Sequence, residues 1–193
     1  MILTGSAIGT GADRLDELER LYQAHGAEIR QAMARLAPEL DADDLLQEVF
    51  LTAVRKVDDF GRSDVPLAWL YGVAVKIAAT RRKTARLRKW LGLQRPDAQT
   101  VAVDSPSRTR EQRDAQRMLG IALEGLSAAK RDVFVLFELQ GLSGEQIAAA
   151  LGIPVKTVWT RLFHARREVA VTIDRQLLAE ARRSGLDVSE LKR

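Results

Sequence analysis

The 193-residue chain contains no cysteine. That excludes disulfides, cysteine-ligated zinc and a thiol nucleophile, and it fits a reducing interior. Its two histidines, His25 and His164, lie far apart and neither sits in a metal-ligand spacing such as His-x-x-x-His. There is no glycine-rich phosphate loop, and the acidic residues of the second helical segment have no base or nucleophile paired with them. An enzyme reading is therefore poor, and no catalytic residue, metal, cofactor or small-molecule substrate is expected. No apolar run reaches membrane-spanning length. The N-terminus also lacks the basic start and long apolar core of a signal peptide. A cytoplasmic location is the expectation, and no internal repeat is visible.

What is present is charge, unevenly spread. Thirty Lys and Arg against 26 Asp and Glu give a net charge of +4, which permits a polyanionic partner without requiring one. From Lys76 to Arg95 the charged residues are Lys76, Arg81, Arg82, Lys83, Arg86, Arg88, Lys89 and Arg95, with no acid among them. From Glu39 to Asp64 the balance reverses, with Glu39, Asp41, Asp43, Asp44, Glu48, Asp58, Asp59 and Asp64. One acidic and one basic sector point to two kinds of partner.

The apolar pattern is helical almost throughout, which predicts an all-α protein of two small helical domains on a flexible linker. A mobile tail over residues 1–12 precedes a first domain at 13–91. A linker follows at 92–109, then a second domain at 110–169 and a helical tail at 170–193. The first helix should run from Asp13 to Leu36 with Leu15, Leu18, Leu21, Tyr22 and Ile29 on its apolar face. Asp41 or Asp43 can cap a second helix whose core stripe is Leu45, Leu46, Val49, Phe50, Ala53 and Val54. Residues 58–65 read as a loop. Pro66 opens a third helix that carries Leu67, Trp69, Leu70, Val73, Ala74 and Ile77 into the basic stretch. Trp69, at helical spacing, reads as core. Pro96, Asp97, Asp104, Ser105, Pro106 and Ser107 mark the linker. Beyond it, one helix carries Met118, Leu119, Ala122 and Leu123, and another Val133, Phe134, Leu136 and Phe137.

The most specific segment spans Leu142 to Arg167 and reads as a helix-turn-helix. Ser143 with Gln146 three residues later forms a capping box. Ile147, Ala148 and Leu151 share one face, and Gly152 supplies the left-handed stop. Ile153 plugs the turn and Pro154 suits the start of the next helix. There Val155, Val158, Leu162 and Ala165 should face inward. Lys156, Thr157, Trp159, Thr160, Arg161, Phe163, His164, Arg166 and Arg167 are left for the outer faces. Such a motif brings a helix end to DNA base edges. Lys156, Thr157 and Arg161 are the best phosphate candidates, helped by the helix N-terminus. Trp159, Thr160, Phe163 and His164 are the best candidates to face bases, although Trp159 could instead pack on the C-terminal tail. On the second helix, spacings of three and four gather Asp44, Gln47, Glu48, Leu51 and Arg55 opposite the core stripe. An exposed Leu among polar groups suits a helix-packing interface.

Two stretches together resemble one family. Asp43-Asp44-Leu45-Leu46-Gln47-Glu48-Val49-Phe50, followed by Trp69-Leu70-Tyr71, resembles conserved region 2 of sigma factors. Leu126 to Arg167 resembles their region 4, with Gly141-Leu142-Ser143, Ile147-Ala148, Leu151-Gly152-Ile153-Pro154 and Thr157-Val158 in place. The order and the short linker are similar to the extracytoplasmic-function (ECF, group IV) sigma factors of the sigma-70 family, over roughly Leu15 to Val169. The resemblance implies a promoter-specificity subunit of RNA polymerase. Region 2 would bind core polymerase through the Asp44, Gln47, Glu48, Leu51 and Arg55 face, against a coiled coil of the large subunit. It would also handle the −10 element and the melted strand, through Phe60 and Arg62 of the loop, Tyr71 and Lys76 of the next helix, and the cations Arg81, Arg82 and Lys83. Region 4 would read the −35 element, and an anti-sigma factor would be a further partner. The linker, with Asp97 and Asp104, would thread toward the polymerase active-site cleft.

Three departures bear on specificity. Phe60-Gly61-Arg62 stands where many relatives have Phe-Arg-Gly, Lys76 where Asn is common, and Trp159 where a basic residue is common. Lys lacks an amide's paired donor and acceptor, and an indole cannot pair with guanine as Arg does. Two rival readings are a dimeric helix-turn-helix regulator of duplex operators and a protein-interaction module such as an anti-sigma antagonist or adaptor. The first leaves the acidic Asp44 face and the basic stretch unexplained. The second leaves the cationic C-terminal helix unexplained.

Overall fold

The computed structural model describes residues 11–93 and 109–183. All regular structure among them is helical, as the periodicity predicts. The linker residues Pro96, Asp97, Asp104, Ser105, Pro106 and Ser107, residues 1–10 and residues 184–193 lie outside the described segments.

The first half is built from four helices. Helix α1 (Gly11–Leu36) buries Leu18, Gly26, Ile29, Ala32, Met33 and Leu36. Leu15 and Tyr22, expected on the same face, are exposed. Tyr22 meets Phe50 edge-on, ring centroids 4.9 Å apart. Helix α2 (Ala42–Arg55) is capped by Asp41, whose carboxylate accepts from the Asp43 and Asp44 amides at 2.8 and 2.9 Å. That satisfies two of the amides a helix start leaves unpaired. Asp43 is spent otherwise, on a two-pronged bond from Arg30 at 2.5 and 2.8 Å. The guanidinium beside it holds the Asp43 carboxyl below its ordinary range. Leu45, Leu46, Val49 and Ala53 are buried, whereas Val54 turns outward, one residue round the helix from Ala53.

The expected loop after α2 is partly helical. The single turn α3 (Val57–Phe60) drops the Phe60 ring into the core, fully buried and edge-on to Trp69 at 5.8 Å. Burying that apolar ring favours the turn over an open loop. Helix α4 (Pro66–Trp90) starts with Pro66 in its first turn. Its first three turns are buried on nearly all sides, from Ala68 through Ala78, because the second half of the chain covers the flank that α1 and α2 leave open.

In the second half, Thr109 and Gln112 form a reciprocal capping box at the start of α5 (Arg110–Gly125). Helix α6 (Ala128–Phe134) runs on into a π-helical turn, Val135–Leu139. Helix α7 (Gly144–Leu151) begins with the predicted Ser143–Gln146 capping box, at 3.2 and 2.9 Å. It ends at Gly152, φ 66°, with the Ile153 amide bonded back to the Ala148 carbonyl at 3.0 Å. A residue bearing Cβ in that left-handed conformation is disfavoured by roughly 1–2 kcal/mol. Gly152→Ala is therefore expected to lower thermal stability by about that amount in a melting experiment. An unchanged Tm would mean that the turn relaxes freely.

Helix α8 (Val155–Arg183) extends well past Val169. The residues beyond Val169 continue the same helix as far as Arg183 and pack on α5. Gln176 donates to the Met118 carbonyl at 3.3 Å, and Arg117 pairs with Glu180 at 2.6 Å. Val158, Leu162, Ala165 and Val169 form its buried stripe; Val155 is half-buried.

Candidate nucleic-acid interface

The outer face of α8 gathers the residues that the helix-turn-helix spacing assigns to it. Lys156, Trp159, Thr160, Phe163, His164, Arg166 and Arg167 are exposed, while Thr157 and Arg161 are half-buried. Phe163 is 63% exposed and stacks edge-on with the His164 ring at 5.4 Å. The Thr160 hydroxyl is already bonded to the Lys156 carbonyl at 3.0 Å. Arg166 is partly engaged, with Nε donating to Glu138 at 2.5 Å and its guanidinium over the Phe137 ring at 5.3 Å.

Trp159 does not pack on the tail. Its ring meets Phe137 edge-on at 5.5 Å and lies over Gly144, where a Cβ would come within 2.5 Å of the indole. The absence of a side chain at Gly144 therefore seats the ring between α7 and α8. With 43% of the residue still exposed, the indole presents a fixed edge rather than a mobile one.

On the first half, Asp44, Gln47, Glu48, Leu51 and Arg55 line one open groove along α2, about 470 Å³ in volume, joined by Leu40 and by Arg81 from α4. Leu51 is 55% exposed within it. Arg81 Nε donates to Glu48 at 2.6 Å. The chemistry is that of a docking surface, an apolar side chain ringed by charges of both signs. A second depression, about 270 Å³, has Trp69, Val73 and Ile77 as apolar lining and includes Lys56, Lys76 and Asp59. It joins an apolar surface and two cations, which suit unstacked bases and their phosphates, to two acids, Glu48 and Asp59.

The expected strand contacts divide. Arg62, Lys76, Arg81 and Lys83 are exposed. Phe60, Tyr71 and Arg82 are buried. Phe60 is taken into the core by the α3 turn. Tyr71 donates its hydroxyl to Gln140 Oε1 at 2.6 Å, and burial pushes its phenol above the ordinary range. Arg82, 4% exposed, donates to both oxygens of Asp132 at 3.2 to 3.4 Å and to the Leu36 carbonyl. In this arrangement none of the three reaches a ligand in solvent. The spacing of Tyr71 and Arg82 along α4 does not reveal that the other half of the chain covers them. Sequence reasoning passed over Gln140, Arg131 and Asp132. The signal was the Lys130-Arg131-Asp132 triplet directly before the apolar run Val133 to Phe137, where ionised groups are rarely buried unless paired.

Comparison with known proteins agrees with this layout. Residues 21–88 match the family described as Sigma-70 region 2, and residues 116–169 match Sigma-70, region 4. The chain is 31% identical over 165 residues to the RNA polymerase sigma factor CnrH of Cupriavidus metallidurans, covering 80% of this chain and 85% of that one. It is 27% identical over 155 residues to the ECF RNA polymerase sigma-E factor of Escherichia coli, covering 73% and 78%. In structure it is similar to the sigma factor RpoE bound to the anti-sigma factor NepR from Bartonella quintana. The TM-score there is 0.66 at 22% identity, covering 82% of this chain and 97% of that one. It is also similar to CnrH in complex with the cytosolic domain of CnrY, TM-score 0.60 at 24% identity, covering 85% and 94%. Two family regions in the same chain, in this order, and a relative above 30% identity along most of its length leave one assignment: the chain belongs to the extracytoplasmic-function sigma factors of the sigma-70 family.

Proposed function

We propose that the chain is an alternative sigma factor that works without chemistry of its own, binding core RNA polymerase through the α2 groove and promoter DNA through α4 and α8. The observation that carries this is the separation of two unlike faces on one chain: a mixed-charge groove with an exposed leucine, and an aromatic, cationic helix face behind a capped helix-turn-helix. A groove of opposed charges around Leu51 suits a helical protein partner. The α8 face suits a duplex groove. In this reading the −10 strand runs along Arg62, Lys76, Arg81 and Lys83, and the Trp69 depression receives an unstacked base. The protein works in the cytoplasm, where promoter DNA lies. An anti-sigma factor is a partner, since the two solved structures named above contain sigma factors held by a second protein.

Reconstituted transcription with core polymerase and no other sigma factor tests the proposal. Specific initiation from a subset of genomic promoters is expected. No complex with core and no transcripts from any promoter would refute it, and tight duplex binding by a dimer of the chain alone would favour a conventional regulator.

Trp159 gives a finer test. The fixed indole edge can pack on a thymine methyl or a sugar but cannot supply the paired donors that Arg offers guanine. Trp159→Arg is expected to move the preferred −35 sequence toward guanine at one position, by about tenfold, since a good bidentate pair discriminates by roughly 1–3 kcal/mol. Trp159→Phe, which keeps an aromatic ring over Gly144, should keep the original preference. An identical promoter profile for Trp159→Arg would remove this residue from the reading surface.

A further inference from the structure

Among the described residues, Val135–Leu139 is the one stretch wound as a π-helix rather than an α-helix. The Gln140 amide reaches back to the Val135 carbonyl at 3.1 Å, and the Leu142 amide to the Leu136 carbonyl at 3.0 Å. Such turns are rare and recur at functional sites. Here the wider turn divides its residues sharply. Val135 and Leu136 are fully buried, whereas the next two, Phe137 and Glu138, both contact α8. In a regular α-helix consecutive residues step about 100° round the axis and rarely serve the same neighbour.

Each of the two holds a side chain of the proposed reading face. The Phe137 ring meets the Trp159 indole edge-on at 5.5 Å, and the Arg166 guanidinium lies over the same ring at 5.3 Å. Glu138 accepts from Arg166 Nε at 2.5 Å. Trp159 and Arg166 lie about two turns apart on α8, so one ring serves both. Gly144 closes the seat from the other side. A Cβ there would lie 2.5 Å from indole Cζ2, 3.0 Å from Cε2 and 3.1 Å from Cη2. A guanidinium held by a ring and a carboxylate likewise has fewer directions in which to reach. If Phe137 only filled space between α6 and α8, full burial would serve best. Instead it is half-buried, at the border where that packing opens onto the α8 face.

We propose that the π-helical turn, through Phe137 and Glu138, forms with Gly144 a template that sets the direction of Trp159 and Arg166, and so determines which −35 bases are preferred without itself touching DNA. The proposal rests on the reading of the α8 face as the −35 surface. Phe137, Glu138 and Gly144 are positioning residues. A side chain discriminates between bases only while its direction is held by the residues behind it. Once loosened, it must also be ordered again on binding, which weakens the specific complex more than the non-specific one. Loss of the template therefore lowers discrimination more than affinity.

The test uses the full-length chain carrying fluorotryptophan. Its three tryptophans give three fluorine resonances, and Trp159→Phe identifies that of Trp159. Phe137→Ala should shift that resonance and leave the other two. It should also flatten the −35 preference of the reconstituted holoenzyme by about tenfold, the scale of one base contact. Affinity for unrelated duplex should stay within about twofold, because Lys156, Arg161 and Arg167 keep their charges. Should Phe137→Ala fold poorly, Gly144→Ala carries the same test. Alanine suits a helix better than glycine does, yet its Cβ displaces the indole. Gly144→Ala is expected to change base preference at full helical content by circular dichroism. In the Trp159→Phe background the same substitution should do nothing, because the atoms it strikes belong to the benzo ring of the indole, which reaches further than a phenyl. An unmoved Trp159 resonance in both variants would overturn the template. A moved resonance with an unchanged −35 preference would overturn its part in specificity, and equal loss on every DNA sequence would mean that the turn serves packing alone. The resonances are read without polymerase or DNA, so a chain that starts no transcripts would sink the sigma-factor reading and leave the template to be judged on the resonances.

Discussion

Glu48→Lys is expected to abolish binding to core RNA polymerase, at least a hundredfold, and with it all transcription by the reconstituted enzyme. Glu48 sits in the α2 groove with Asp44, Gln47, Leu51 and Arg55. Reversing its charge sets a cation where a partner complementary to the groove presents one. Truncating one member of a desolvated interfacial charge pair costs about 2–5 kcal/mol, and reversal adds repulsion. Folding should hardly respond. The lost bond to Arg81 is between partly exposed groups, 50% and 35% accessible, and such pairs contribute about 0–1 kcal/mol. Arg81→Ala separates the two effects, because it breaks the same bridge but leaves the Glu48 carboxylate in place. Core affinity within a few-fold of the unsubstituted chain is expected for Arg81→Ala. Equal loss in both variants would mean that the bridge, not a contact with polymerase, is what matters. A Glu48→Lys chain that still binds core would remove the groove from the interface.

Leu162→Ala is expected to destabilise the second half by about 2–5 kcal/mol, the usual cost of emptying a well-packed leucine site. Leu162 is 1% exposed and lies midway along the buried stripe of α8, which packs on α5, α6 and α7. A loss of that size shifts the folding equilibrium by roughly 30- to 4,000-fold, at about 1.4 kcal/mol per factor of ten. Chemical denaturation should show it directly, and recognition of the −35 element should fade as temperature rises. Because Leu162 faces away from solvent between Arg161 and Phe163, the effect on DNA binding should vanish wherever the variant is fully folded. A defect that persists at low temperature, with native circular dichroism, would place Leu162 on the reading surface instead.

The helix-turn-helix was legible residue by residue because each of its signals is local. Ser143 and Gln146 are three positions apart, Gly152 needs only its own backbone, and the Val158, Leu162, Ala165 stripe follows from helical pitch. The α2 groove was legible for the same reason, since residues spaced by three and four on one helix share a face whatever surrounds it. What was not legible depended on contacts between distant parts of the chain. Nothing near Arg82 in sequence reveals that Asp132, fifty residues away, will neutralise it. Nor does the spacing of Tyr71 reveal the second layer that covers α4. Phe60 failed differently. Its charged neighbours Asp58, Asp59 and Arg62 read as a loop, but one apolar ring was enough to fold the preceding residues into a turn and pull itself inward.

Helix α8 has a geometric consequence of its own. It is one unbroken element from Val155 to Arg183, gripped near its far end by Met118 and Arg117 of α5. At about 1.5 Å per residue, the Gln176 contact lies some 25 Å from Trp159. Over that distance a helix behaves as a stiff shaft. In the proposed reading, the bearing that α5 provides at one end would set the angle at which Trp159 and Phe163 meet a groove at the other. On that reading, side chains around Gln176 would govern aim rather than grip, and a change there would turn the proposed reading face while leaving its residues in place.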